Sequence, residues 1–266
     1  MSGDELVVTL VSLVLGPIGW AFWLFRSASI DGLRKSGPSL PMLGAAIGLA
    51  GALIFVVLAR FAADDVREAP QYLFMYLLLG LAWVRVAAVC FPILGLNPRD
   101  DVIERRNAAA LPAFIGALIG VALCFSGANI GNGPGWWVVV FSAGLASAAL
   151  AGIWLAVGQF SGVVDFVTID RDVAAGWRLG GLLVACGLVF GAAVAGNWVS
   201  ASATVADFVG RAWPALLIGA VAIQVERIMH PRPDRPMAPV VQSGMVPAIF
   251  YMALAVAAVA FVGITL

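Results

Sequence analysis

The sequence predicts an all-α, polytopic membrane protein of about eight transmembrane helices, arranged as four parallel helical hairpins. Three observations predict it. The 266 residues are 62% hydrophobic and 11% charged, where a soluble domain carries about 25% charged residues. Eight apolar runs are each long enough to cross a hydrocarbon core of about 30 Å, which takes roughly 20 helical residues. The connections between them alternate in charge, and two of these connections repeat nearly the same phrase.

The runs lie at about 6–25, 40–60, 71–96, 108–128, 136–160, 177–198, 206–228 and 245–265. Unpaired backbone groups are not tolerated in lipid, so each run must be a helix. Alternating ten-residue strands of an outer-membrane barrel are absent. Asp4 and Glu5 occupy the place of a basic signal-peptide region, so the first run is read as a retained helix.

Eleven basic residues fall in or beside the connections after runs one, three, five and seven: Arg26, Arg34, Lys35, Arg99, Arg105, Arg106, Arg171, Arg178, Arg227, Arg232 and Arg235. The other connections carry Arg60 and Arg67, with Arg211 at a helix start. The positive-inside rule places the first set in the cytoplasm and both termini outside. Trp136, Trp137, Trp198 and Trp213 mark the outer boundary, and Trp20, Trp23 and Trp177 the inner one, as aromatic belts do.

The repeated phrase is Ile103–Ala109, "IERRNAA", against Ile169–Ala175, "IDRDVAA". Glu104 aligns with Asp170 and Arg105 with Arg171 at an offset of 66 residues. All four connections lead into similar helix starts, Leu40-Pro41, Leu111-Pro112, Trp177-Arg178 and Val246-Pro247, at steps of 71, 66 and 69 residues. Two spans per unit, at about 5–62, 70–130, 136–200 and 205–266, give parallel repeats about an axis along the membrane normal. A ring of such hairpins either surrounds a path or fills its centre with side chains. Proline in a first helical turn breaks no intrahelical bond. Asn107 and Asp172 are expected N-caps, with Ser36 and Gln242 near the matching place in the outer units. Small residues four apart, Gly44/Gly48, Gly116/Gly120, Gly187/Gly191 and Ala253/Ala257, mark the even helices as the close-packed inner set.

The phrase Glu104–Ala109 leading into a glycine-rich helix, and Asp170–Gly176 leading into "WRLGGLLVACGLVFGAAVAGNW", resemble the bacterial domain-of-unknown-function family numbered 350, built from tandem two-helix units. The resemblance covers roughly residues 70 to 200. Related members look shorter, with two units. It implies an inner-membrane protein without an assigned activity. Members tend to lie near membrane-remodelling coat proteins and polyamine-transferase-like proteins, which points to a scaffold. Val173 departs from the Asn of the second unit at this offset, which leaves that amide without a counterpart. No catalytic residue is carried over.

The candidate site residues follow from the cost of charge in a bilayer, about 2.5–3.5 kcal/mol at a helix centre. Arg85 lies deepest, roughly 22 Å from the outer helix end at a 1.5 Å rise. It reads as a path residue, or as a cation paired with Asp165 or Glu226 or snorkelling to the interface. Gln159, Asp165, Gln224 and Glu226 are grouped as a polar inner mouth. Glu104, Arg105, Asn107, Asp170, Arg171 and Asp172 form the cytoplasmic motif. Asp207 and Arg211 stand one helical step apart, and His230 opens a proline-rich linker. No phosphate loop, zinc-protease motif or filter-like sequence is present, and Cys90, Cys124 and Cys186 are isolated in apolar runs. No enzyme activity, metal or cofactor is expected. The partners are the bilayer, cytoplasmic proteins and a second copy of the chain, with no nucleic acid. The functional expectation is a small-solute or ion transporter or channel, with a hydrated path beside Arg85. The alternative is a non-transporting scaffold with a dry interior and a contiguous patch of Glu104, Arg105, Asp170 and Arg171.

Overall fold

A computed structural model describes residues 1–33, 39–230 and 239–262. Eight of its helices are long and apolar enough to cross a membrane: α1 (Gly3–Ser29), α2 (Leu40–Phe61), α3 (Pro70–Leu94), α4 (Ala110–Gly127), α5 (Trp136–Ser161), α6 (Val173–Val194), α7 (Ala201–Met229) and α8 (Val241–Phe261). They match the eight apolar runs of the sequence. Ser36, Arg34, Lys35, Arg232 and Arg235 lie outside the described residues.

The helices alternate in direction, so the connections gather at two ends. At one end Gly196 N donates to the Ile130 carbonyl (2.9 Å) and Trp198 N to the Asn132 carbonyl (2.8 Å). Ala62 forms a bridge with Ile130 there, and the Trp136 indole donates to Asp4 (3.2 Å). The other end, called the basic end below, carries the 95–109 and 161–173 connections and the chain at 226–230 and 239–245. Edge-to-face aromatic pairs sit near each boundary, Trp137 with Trp198 (5.1 Å) at one and Trp20 with Trp23 (5.8 Å) toward the other.

The even helices pack as a row in chain order, α2–α4–α6–α8, with α4–α6 as the most extensive contact. Glycine makes this contact possible. A methyl on Gly120 would sit 2.5 Å from the Leu183 carbonyl oxygen, and one on Gly187 2.5 Å from Gly120 Cα. Gly116 faces Gly180, and Gly127 faces Gly191, more closely still. Backbones this near gain dispersion contacts that side chains would otherwise prevent. Phe114, Phe125, Leu118 and Leu183 fill the remaining space and are fully buried.

The expected stripe holds for α4 and α6 and fails in the flanking helices. Nothing lies within 4 Å of a methyl placed on Gly44 or Gly48, and Ala253 and Ala257 are exposed. There α2 buries Leu43, Ala46, Ala50 and Ile54 instead, and α8 buries Ala248, Tyr251 and Ala255. The reason is position: α2 and α8 stand at the two ends of the row, and Gly44, Gly48, Ala253 and Ala257 fall away from the neighbouring even helix, while Ala46, Ala50, Ala248 and Ala255 face inward. The expected ring is thus an open row, with an apolar groove of about 300 Å³ between Met42 of α2 and Met252 of α8.

Among the odd helices, α1 leans on α3. Its Pro17 lies within a π-turn, Val14–Ile18, where wider winding tolerates the missing N–H. At this bend a methyl on Gly16 would come 2.8 Å from the Ala82 nitrogen, which is how an otherwise lipid-exposed helix gains its close contact.

Candidate functional site at the basic end

Two turns form the basis of the site. Arg106 and Arg171 both have positive φ, 50° and 57°, a conformation rare for residues with a Cβ. Each is followed by an Asx cap. Asn107 Oδ1 accepts from Ala109 N (3.0 Å), and Asp172 Oδ1 accepts from Ala174 N (2.9 Å). Asn107 N donates to the Asp101 carbonyl and Asp172 N to the Phe166 carbonyl, both at 2.9 Å. The two turns therefore share one geometry at a step of 65 residues, the same separation as Asn132 and Asn197 at the opposite end. The phrase alignment at 66 set Asn107 against Val173. In space its counterpart is Asp172, so the polar cap is kept in both turns as amide or carboxylate.

The turns are also joined. Asn107 Nδ2 donates to the Val167 carbonyl (2.7 Å) across 60 residues of chain, and both Asn107 and Asp172 are buried. Asp101 closes the first turn from below, accepting from Asn97 N (2.9 Å) and from Arg105 (3.0 Å). Glu104 pairs with Arg99 (2.9 Å). Arg105, Arg106, Asp170 and Arg171 stay exposed around this frame, with Ile169 beside them 67% exposed.

Behind the turns lies a buried ion pair that the sequence reading did not single out. Arg178, on the second turn of α6, is 1% exposed, and Glu226, near the end of α7, is 2% exposed. Arg178 Nε donates to Glu226 Oε1 (2.7 Å) and Nη2 to Oε2 (2.7 Å). Its Nη1 donates to the Ser243 carbonyl in the first turn of α8 (2.6 Å). Asp172 Oδ2 stands 3.5 Å from Nη2. One planar guanidinium thus fastens α6, α7 and α8 together, using the fork geometry that suits a carboxylate. The available sequence signal was opposite charge, Arg178 and Glu226, at the same end of two consecutive apolar runs, because a buried charge requires a partner.

The other predicted residues do not converge. Glu226 pairs with Arg178 and not with Arg85, because α7 packs on α6 while Arg85 on α3 turns toward α1. Gln159, Asp165 and Gln224 are exposed, so the expected inner mouth does not form as a group. Arg85 extends over the Trp20 ring (5.4 Å), toward the basic end. Gln242 is exposed, and the neighbouring Ser243 and Gly244 are buried. Arg211 donates to the Ala195 carbonyl (3.3 Å) where a pair with Asp207 was expected. His230 stacks on Phe166 at 3.7 Å, so it is packed where a solvated linker position was expected.

Fold and site together define an integral membrane helix bundle with its buried polar residues concentrated at the ends of its helices. Residues 65–194, from just before α3 through the end of α6, match the family described as Domain of Unknown Function (DUF350), and over this segment the chain is similar to that family. No curated protein and no solved structure matches it.

Proposed function

We propose that the protein is a non-transporting membrane scaffold that recruits a cytoplasmic protein through the paired turns of its basic end. The observation that carries this reading is the bond from Asn107 to the Val167 carbonyl, which joins two chain-distant turns into one patch. Rigid backbone holds Arg105, Arg106, Ile169, Asp170 and Arg171 outward, and exposed mixed charge with one apolar anchor suits protein recognition. The close-packed α4–α6 centre supports the same reading, because glycine-to-backbone contact leaves no room for solute between these helices. The resemblance to a family found near membrane-remodelling coat proteins suggests the class of partner.

The competing reading, a solute or ion path, rests on Arg85. Its guanidinium is directed toward α1, away from the α4–α6 centre, which favours a role at the membrane boundary.

Two measurements test the proposal in native membranes and liposomes. A photo-crosslinker at position 169 is expected to capture a soluble protein, with capture lost on Arg105→Glu plus Arg171→Glu and retained on Gln159→Ala. Ion or small-solute flux through the reconstituted protein that disappears with Arg85→Ala would overturn the scaffold reading.

A further inference from the structure

A second cluster of charge lies between α1 and α3, beside the first of the paired turns, which contributes Arg99 to it. A cavity of about 130 Å³ is lined by Phe22, Trp23, Arg26, Ser27, Arg85 and Arg99. Three of these six are arginines and none is acidic. A single water needs only about 10–15 Å³ on this kind of measure, so the space admits a larger group.

The three cations have little internal compensation. Arg99 shares Glu104. Arg26 stands over the Phe22 ring (5.7 Å). Arg85 stands over Trp20, and its Nε is buried without a hydrogen-bond partner. A buried N–H of an ion left unpaired is costly, and three guanidiniums around one cavity repel one another. Both costs fall when an oxyanion enters, because guanidinium forks bind phosphate oxygens in a charge-assisted, bidentate way. Ser27, also buried, adds a hydroxyl to the lining.

We propose that this cavity binds a phosphate-type oxyanion, with Arg85 as its deepest ligand and Arg26 and Arg99 as its rim. The surroundings fit the headgroup of an anionic phospholipid. Phe22 and Phe25 on the same helix are 60% and 72% exposed, giving acyl chains an apolar surface beside the charges. Basic pockets between transmembrane helices bind such headgroups. The alternative source of the same chemistry is a free phosphate or phosphorylated solute.

The test uses the full chain. Nanodiscs of phosphatidylcholine alone, and of phosphatidylcholine with phosphatidylglycerol, are compared by native mass spectrometry for retained lipid. In parallel, inorganic phosphate is titrated calorimetrically into the detergent-solubilised protein. Retention of phosphatidylglycerol is expected, weakened about tenfold by Arg85→Gln, as one lost charge-assisted hydrogen bond predicts. Arg26→Gln, on the exposed rim, is expected to weaken it less and serves as the variant least able to disturb folding. Arg171→Gln, outside the cavity, should leave it unchanged. Phosphate binding with the same variant pattern would support the site and assign it to a free anion. Binding of neither ligand, or equal losses in Arg171→Gln and Arg85→Gln, would overturn the proposal.

Discussion

Replacing Glu226 with alanine leaves the Arg178 guanidinium in place with its main anion gone. Two of its charge-assisted bonds, both at 2.7 Å, vanish together. The remaining carboxylate, Asp172, is 3.5 Å away and already engaged in capping Ala174, so it compensates poorly. Both partners are almost fully buried, and solvent screening does not reduce the effect. Breaking such a pair costs about 3–5 kcal/mol. Removing Arg178 instead, as Arg178→Met, strands Glu226 at similar cost and also releases the Ser243 carbonyl. The double variant Arg178→Met/Glu226→Met removes both charges and should recover most of the loss, since replacing a buried pair by apolar residues is often neutral. The assay is reversible SDS unfolding in mixed micelles, read as a double-mutant cycle, with hydrogen exchange across Val241–Met245 as a local probe. A coupling energy of about 2 kcal/mol or more is expected, with exchange in that segment faster in either single variant. Additive single effects would refute the view that this pair holds α7 and α8 against α6.

Other perturbations separate neighbouring parts of the argument. Gly120→Val should destabilise by about 1–3 kcal/mol or more through overpacking, while Gly44→Ala and Gly48→Ala should be close to neutral; thermal unfolding in detergent distinguishes them. Arg171→Gly relieves a left-handed residue whose strain is of order 1–3 kcal/mol, less the chain entropy of glycine. A small gain in stability is therefore expected together with loss of partner capture, whereas a clear loss of stability would show that the side chain holds the turn. Asn107→Ala leaves the Val167 carbonyl and Ala109 N–H without their partner, at about 1–3 kcal/mol, and should speed exchange in both turns at once. A cysteine at position 170, in a Cys90→Ser background, should be labelled by impermeant thiol reagents only from the cytoplasmic side, and one at position 132 only from the opposite side. The reverse pattern would invert the proposed orientation.

Eight helices and their alternation were legible because lipid imposes a simple rule: each span must satisfy its own backbone hydrogen bonds, so length and hydropathy suffice. The Asp172 cap was legible as well, because capping is local in sequence; Asn107, expected as the N-cap of α4, makes the matching Asx turn two residues before the N-cap at Ala109. The 66-residue register was less secure. Matching letters favoured Asn107 against Val173, while the backbone, with Arg106 and Arg171 both left-handed, pairs Asn107 with Asp172. Chemical equivalence between an amide and a carboxylate cap is visible only once both are seen accepting the same bond.

Partnership between distant charges was decided by tertiary structure alone. Glu226 had several arginines in reach by depth; only the packing of α7 on α6 selects Arg178, and only the lean of α3 toward α1 sends Arg85 elsewhere. The same holds for glycine stripes, present in α2, α4 and α6 by sequence. A stripe becomes a contact only where another backbone arrives, and in an open row that happens at α4 and α6. Sequence by itself determined that the chain crosses the membrane and where, because burial in lipid is a property of each segment. Which helix faces which, and therefore which charges meet, depends on pairwise packing, and no single segment encodes that.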